Sequence, residues 1–157
     1  MKDMNKKTVK MTKEGLESLK KELDGLVRIK RPALVSRQEN ARNQGDLKEN
    51  SDYHNAKDEL EFLDGRIEEL QWVVDNAKIV SANGKNGKVG MGSKVTLELN
   101  GGKHIYEVVG EWEADPINKK ISPESPLGSA ISGKKKGDMV FVEAPAGKIG
   151  YKIVAIE

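Results

Sequence analysis

The chain contains no cysteine, which excludes disulfides, thiolate metal sites and thiol catalysis together. Aromatic residues are scarce as well, 4% of 157 residues, whereas 33% are charged. That is a thin supply of bulky core material for one compact globule, and long solvated helices account for both figures. No apolar run nears membrane-spanning length. The opening MKDMNKKTVK carries lysines with no apolar stretch behind them, so it does not read as a signal peptide. A net charge of only +2 confines any basic surface to a local patch and argues against general nucleic-acid binding. Several chemical signatures are missing too. His54 and His104 lie far apart with no H-x-x-x-H, so zinc is not expected. No nucleophile elbow occurs, and Gly133 followed by Lys134, Lys135 and Lys136 is not a P-loop. These absences leave a cytoplasmic protein with no membrane partner, long enough for one ordinary domain or two small ones.

What is present divides near residue 80. Leu16, Leu19, Leu23 and Leu26 step by three, four and three, a heptad seam. Thr12 suits the N-cap, and Glu14 falls in the first turn, where the helix dipole favours an acid. The seam then weakens to Lys30, Ala33, Arg37 and Asn40, with Pro32 inside it as a kink or a stop. Tyr53, Ala56, Leu60, Leu63, Ile67, Leu70, Val74 and Ala77 form a second stripe, capped by Asn50 or Ser51. Two long helices with a short polar connection predict an antiparallel hairpin. At 1.5 Å per residue, a first helix over 13–44 would be roughly 45–50 Å long. Such a hairpin is mostly surface and is built to reach.

Its connection, GDLKENSDY, places two carboxylates, Asp46 and Glu49, at the bend. Arg28, Lys30, Arg31, Arg37 and Arg42 lie on the outgoing helix, while Asp58, Glu59, Glu61, Asp64, Glu68 and Glu69 dominate the facing part of the return. Two readings stay open. The charges pair across the hairpin and fix its alignment, or the cations form a stripe that meets a polyanion.

After residue 80, SANGKNGKVGMGS reads as a linker into a β region. Val95, Leu97 and Leu99 alternate as a half-buried strand, Asn100-Gly101-Gly102 signals a hairpin turn, and residues 104–109 read as its partner. Ser125 and Pro126 can start a short helix to Ser132, and residues 139–142 and 150–156 read as further strands. The expected fold class is α+β, with residues 1–80 as a hairpin and 81–157 as a small, mostly antiparallel domain.

These segments, taken in order, resemble the bacterial transcript-cleavage factors of the Gre family, and the GreA branch more than the GreB branch. MTKEGLESLKKEL resembles the family's opening helix, Lys30-Arg31-Pro32 its RRP-type segment, GDLKENSDYHNAK its tip motif and ISPESPLGSAISGKKKGD its C-terminal signature. The resemblance covers nearly the whole chain. It implies a coiled-coil hairpin followed by an FKBP-like β-rich domain that docks rather than isomerises prolyl bonds. It implies entry through the secondary channel of bacterial RNA polymerase and stimulated cleavage of backtracked RNA, completing the polymerase's site with no turnover alone.

By the same resemblance, Asp46 and Glu49 are the catalytic acids and share a Mg²⁺ ion with the polymerase, which neither holds stably alone. Arg37, Arg42 and Lys57 contact the extruded 3′ end of the nascent RNA. Ser122, Glu124 and Pro126 meet the rim of the channel. A monomer is expected. Two alternatives are a channel-occupying regulator that inhibits without cleavage, and an active prolyl isomerase with a helical arm. The intact D-x-x-E pair favours cleavage over the first. The second has only Tyr106, Trp112, Phe141 and Tyr151 after residue 80 to line a pocket.

Overall fold

The structure, a computed structural model, describes residues 8–45, 49–80 and 87–157. Asp46 and the first part of the expected linker, residues 81–86, lie outside the described residues. The chain forms a long helical hairpin and a curled five-stranded sheet, which belong to separate compact units. One unit is Glu17–Asn76; the other joins the chain up to Leu16 with Ala77–Glu157. The boundary expected at residue 80 did not include this grouping. Its cause is a short parallel pairing, Val9–Met11 (β1) with Ala77–Ile79 (β2), continued by the N–H of Val80 donating to the Met11 carbonyl at 2.8 Å. Ala77 therefore leaves the helical stripe and becomes the first residue of a strand.

The outgoing arm is helical from Lys13 to Arg42 and does not stop at Pro32. It runs as α1 (Lys13–Gly25), a single π turn (Leu26–Lys30) and α2 (Arg31–Arg42). Thr12 is the N-cap, its hydroxyl accepting from the Gly15 N–H at 3.1 Å. In an unbroken α-helix Pro32 would deprive the Arg28 carbonyl of its donor and press its ring against it. Here the preceding turn is widened, and the N–H of Arg31 reaches back five residues to the Leu26 carbonyl. The wide turn inserts one residue into the helical register. The seam expected at Ala33 and Asn40 therefore passes through Leu34 and Ala41, which are buried while Ala33 and Asn40 are exposed.

The return helix, α3 (Ser51–Asp75), packs along α2 and buries Ala56, Leu63, Leu70 and Val73. These are seven, seven and three residues apart, which keeps them on one helical face.

In the other unit, β3 (Lys94–Leu99), β4 (Gly102–Val108), β5 (Lys120–Ile121), β6 (Met139–Ala144) and β7 (Gly147–Ile156) lie in the order β5-β4-β3-β7-β6. All pairings are antiparallel except β4 with β5. Asn100 and Gly101, both at positive φ (51° and 79°), make the tight turn between β3 and β4 that the Asn-Gly pair predicts. One face of the sheet carries Val95, Leu97, Val108, Val140 and Ile153 into the core with Ile131 of α4 (Pro126–Ile131). The two-residue period assigns the aromatics to faces. Tyr106 pairs with Val95 and Tyr151 with Val140, so both share the core face, whereas Phe141, next to Val140, points the other way and is exposed. Burial, and then the neighbouring Tyr151, push the Tyr106 hydroxyl above its ordinary pKa.

Candidate functional site

The bend of the hairpin is built by its two helix ends. Past Arg42, the N–H of Asn43 donates to the Glu39 carbonyl at 3.1 Å and that of Gln44 to the Ala41 carbonyl at 3.2 Å. Gly45 then takes φ 149°, a conformation that favours glycine. On the return side Asn50 is the N-cap of α3, its side-chain oxygen accepting from the Tyr53 N–H at 3.1 Å. Its side-chain nitrogen donates to the Ala41 carbonyl of α2. One side chain thus caps one helix and ties it to the end of the other. Glu49 sits immediately before this clip and is exposed.

The charges flanking the tip separate into two groups. Arg37 reaches Glu59 at 3.1 Å and Asp52 at 3.3 Å, both on α3. Its guanidinium is held above its ordinary pKa, by the Glu59 hydrogen bond first. Arg31 meets Asp64 at 2.7 Å, and Arg66 reaches back to Glu22 at 3.2 Å. Cross-hairpin pairing therefore accounts for Arg31, Arg37 and Arg66. Arg42 and Lys57 are exposed, and no ion pair among the described residues includes them.

A second candidate surface lies in the other unit, at the turn from β5 into α4. Ser122 is buried and acts as the frame of this turn. Its hydroxyl accepts from the Glu124 N–H at 3.1 Å, and its carbonyl accepts from the Ser125 N–H at 3.0 Å and the Ser125 hydroxyl at 2.7 Å. Ser125 caps α4 by accepting from the Gly128 N–H at 3.1 Å. A Cβ at Gly128 would stand 1.9 Å from the Ser122 carbonyl oxygen, so only glycine lets the helix approach its own entry turn. Glu124 and Pro126 are the exposed members of the expected trio.

Sequence reading missed two positions, one that shapes the turn at Ser122 and one that secures the start of the outgoing arm. Gly128 had no visible partner, because its reason is the backbone of Ser122. Glu113 accepts from the N–H groups of Thr12 at 2.9 Å and Gly110 at 2.8 Å, and also from the Thr12 hydroxyl. It secures the first turn of α1 from 101 residues away in the chain, beyond any local pattern.

Comparison with known proteins places the sequence among matched families at both ends. Residues 9–79 match the family model described as transcription elongation factor, N-terminal, and residues 84–157 the one described as transcription elongation factor, GreA/GreB, C-term. The chain is 45% identical to transcription elongation factor GreA of Lactococcus lactis subsp. cremoris (strain SK11), over 96% of this chain and 99% of that protein. It is 43% identical to transcription elongation factor GreA of Bacillus subtilis (strain 168), covering 96% and 97%. Among solved structures, that of GreA factor homolog 1 of Thermus thermophilus is 31% identical with a TM-score of 0.45, covering 96% of this chain and 99% of that one.

Proposed function

The chain belongs to the GreA/GreB family of transcription elongation factors, and on that premise we propose that it stimulates RNA polymerase's own endonucleolytic cleavage of backtracked nascent RNA. The observation that carries this reading is the clipped hairpin bend. Asn50 ties the two helix ends together, and the exposed Glu49 directly precedes it within an intact D-x-x-E pair. An arm of about 45 Å, at 1.5 Å per residue from Lys13 to Arg42, is long enough to enter a channel.

In this reading the arm enters the secondary channel and brings Asp46 and Glu49 to the polymerase's active centre. Among the described residues no three acids or histidines converge as a metal site. Two tip carboxylates fit a Mg²⁺ ion only as part of its oxygen shell, the polymerase supplying the rest. When bound, that ion lowers the pKa of a coordinated water and neutralises charge on the leaving oxygen. Asp46 and Glu49 raise its occupancy and orient the attacking water. Arg42 and Lys57 contact phosphates of the extruded RNA, with Arg37 dividing its role between the hairpin and that contact. Glu124 and Pro126 meet the channel rim on the frame that Ser122 provides. The factor works as an accessory and has no turnover of its own.

The test is a stalled transcription complex carrying RNA labelled at its 3′ end. Addition of the protein should release short labelled fragments and restore elongation, while the protein with free RNA and Mg²⁺ should leave that RNA intact. Binding to the complex without fragment release would replace this reading with the channel-occupying inhibitor.

A further inference from the structure

The loop that follows α4 concentrates positive charge on a fixed backbone. Lys134, Lys135 and Lys136 stand between Gly133 and Gly137, whose φ values of 74° and 93° lie in the left-handed region that favours glycine. Lys88 joins them through an isolated antiparallel bridge to Lys135. Two backbone bonds close that bridge: the Val89 N–H donates to the Lys134 carbonyl and the Gly133 N–H to the Val89 carbonyl, each at 2.9 Å. Val89, next to Lys88, and Ile131, at the end of α4, are buried in the core and anchor both segments. The Asp138 carboxylate accepts from the Lys135 N–H at 2.9 Å, and the Gly137 N–H donates to the Ile153 carbonyl of β7 at 2.7 Å. The fold therefore sets the backbone that carries these four lysines, while all four side chains are exposed.

Residues 87–89 and 133–138 hold four lysines and one carboxylate, Asp138, so this patch alone carries more positive charge than the +2 of the whole chain. Ion pairing does not consume it. Every ion pair among the described residues lies in the hairpin, and none includes Lys88, Lys134, Lys135 or Lys136. It is a local basic patch of the kind to which a small net charge confines polyanion binding. Its composition selects the polyanion. Protein–protein interfaces favour arginine and aromatic residues and are depleted in lysine. The patch has lysine and neither of the others. Lysine acts on phosphate as a point charge. Single strands are held by stacking on aromatic side chains, and the nearest exposed aromatic in sequence, Phe141, lies over Gly150 of β7 instead. Charge density points the same way. Lys134 to Lys136 span at most about 7 Å. Over that length a duplex presents about four phosphates and a single strand about two.

We propose that Lys88, Lys134, Lys135 and Lys136 form a surface that contacts the phosphates of double-stranded DNA and reads no bases. The surface is separate from the tip and from the turn at Glu124, and its test does not need polymerase. The full chain is titrated into a fluorescein-labelled DNA duplex at low ionic strength while anisotropy is followed. Parallel titrations use labelled single-stranded RNA of the same sequence, and unlabelled duplex and poly-glutamate serve as competitors at equal charge. A triple variant, Lys134→Gln, Lys135→Gln and Lys136→Gln, keeps polar side chains on the same backbone and removes their charge. Lys88→Gln does so on the other segment.

The wild type should bind the duplex more tightly than the single strand. The logarithm of its binding constant should fall against that of salt concentration with a slope of about −3, as expected when three or four phosphates are neutralised. The triple variant should bind the duplex about tenfold more weakly at low ionic strength and lose most of that slope, and Lys88→Gln should weaken binding in the same direction. All four side chains are exposed, so melting temperatures should match the wild type. Undiminished duplex binding by the triple variant overturns the proposal, as does the absence of duplex binding at low ionic strength. Equal or tighter binding to single-stranded RNA overturns the assignment to a duplex. Displacement by poly-glutamate as effective as that by unlabelled duplex assigns the patch to an acidic protein and also overturns it. None of these results bears on the tip and channel reading, which the stalled-complex assay tests separately.

Discussion

Replacing Asn50 isolates the contribution of the clip at the hairpin bend. Its side chain makes two distinct bonds, accepting from the Tyr53 N–H and donating to the Ala41 carbonyl. Loss of an N-cap costs about 1 kcal/mol. Loss of a partly buried hydrogen bond costs about another 1 kcal/mol. Asn50→Ser keeps an acceptor for the cap, but its shorter side chain lacks the amide N–H that reaches the Ala41 carbonyl of α2. Asn50→Ala loses both. The local opening of the first turn of α3 should therefore become more favourable by about 1 kcal/mol in the serine variant and about 2 kcal/mol in the alanine variant. The latter is roughly a thirtyfold increase in the open population. Native-state hydrogen exchange at the amides of Tyr53 and His54 reads this population directly. Global melting should move less, because the seam residues Leu63 and Leu70 are untouched. Cleavage stimulation should fall in the same order, with polymerase affinity nearly constant. If serine protects these amides as well as asparagine does, the bond to Ala41 contributes nothing and the clip is only a cap.

Other substitutions separate the remaining roles. Asp46→Ala or Glu49→Ala should abolish stimulated cleavage and leave polymerase binding in place; either variant cutting at the wild-type rate would remove that acid from the site. Gly128→Ala should disturb the turn at Ser122, since the added carbon begins 1.9 Å from its carbonyl oxygen. A melting temperature equal to the wild type would show that the close approach is absent in solution. Glu124→Lys leaves that frame intact, so it should lower polymerase affinity without lowering the melting temperature, and undiminished competition against the wild type would dismiss Glu124 as a contact. Arg37→Ala should lower the melting temperature, because Arg37 bridges to Asp52 and Glu59. Arg42→Ala should instead reduce crosslinking of the RNA 3′ end to the tip, more strongly at low salt. The opposite assignment of effects would exchange their roles.

Much of the hairpin was legible because its determinants are local. A helix seam, an N-cap at Thr12 or Asn50 and an Asn-Gly turn each depend on residues within a few positions of one another. The D-x-x-E spacing of Asp46 and Glu49 is visible in the chain, but the role expected of the pair came from the family resemblance and not from the spacing. The seam beyond Leu26 was misread by one residue, because periodicity assumes a constant helical register and Pro32 imposes a wide turn. Where the partners are distant, the sequence carried no sign. The strands β1 and β2 are three residues each, too short for a period, and exist only because the chain returns to pair Val9 with Ala77. Glu113 is one acid among 25 acidic residues until folding sets it beside Thr12. Composition likewise did not show which acids Arg37 would meet; α3 places Asp52 and Glu59 within its reach. Local propensity and spacing determine which segments become helices and strands. Only the tertiary structure decides which charges and backbone atoms meet, because those contacts depend on the path of the whole chain.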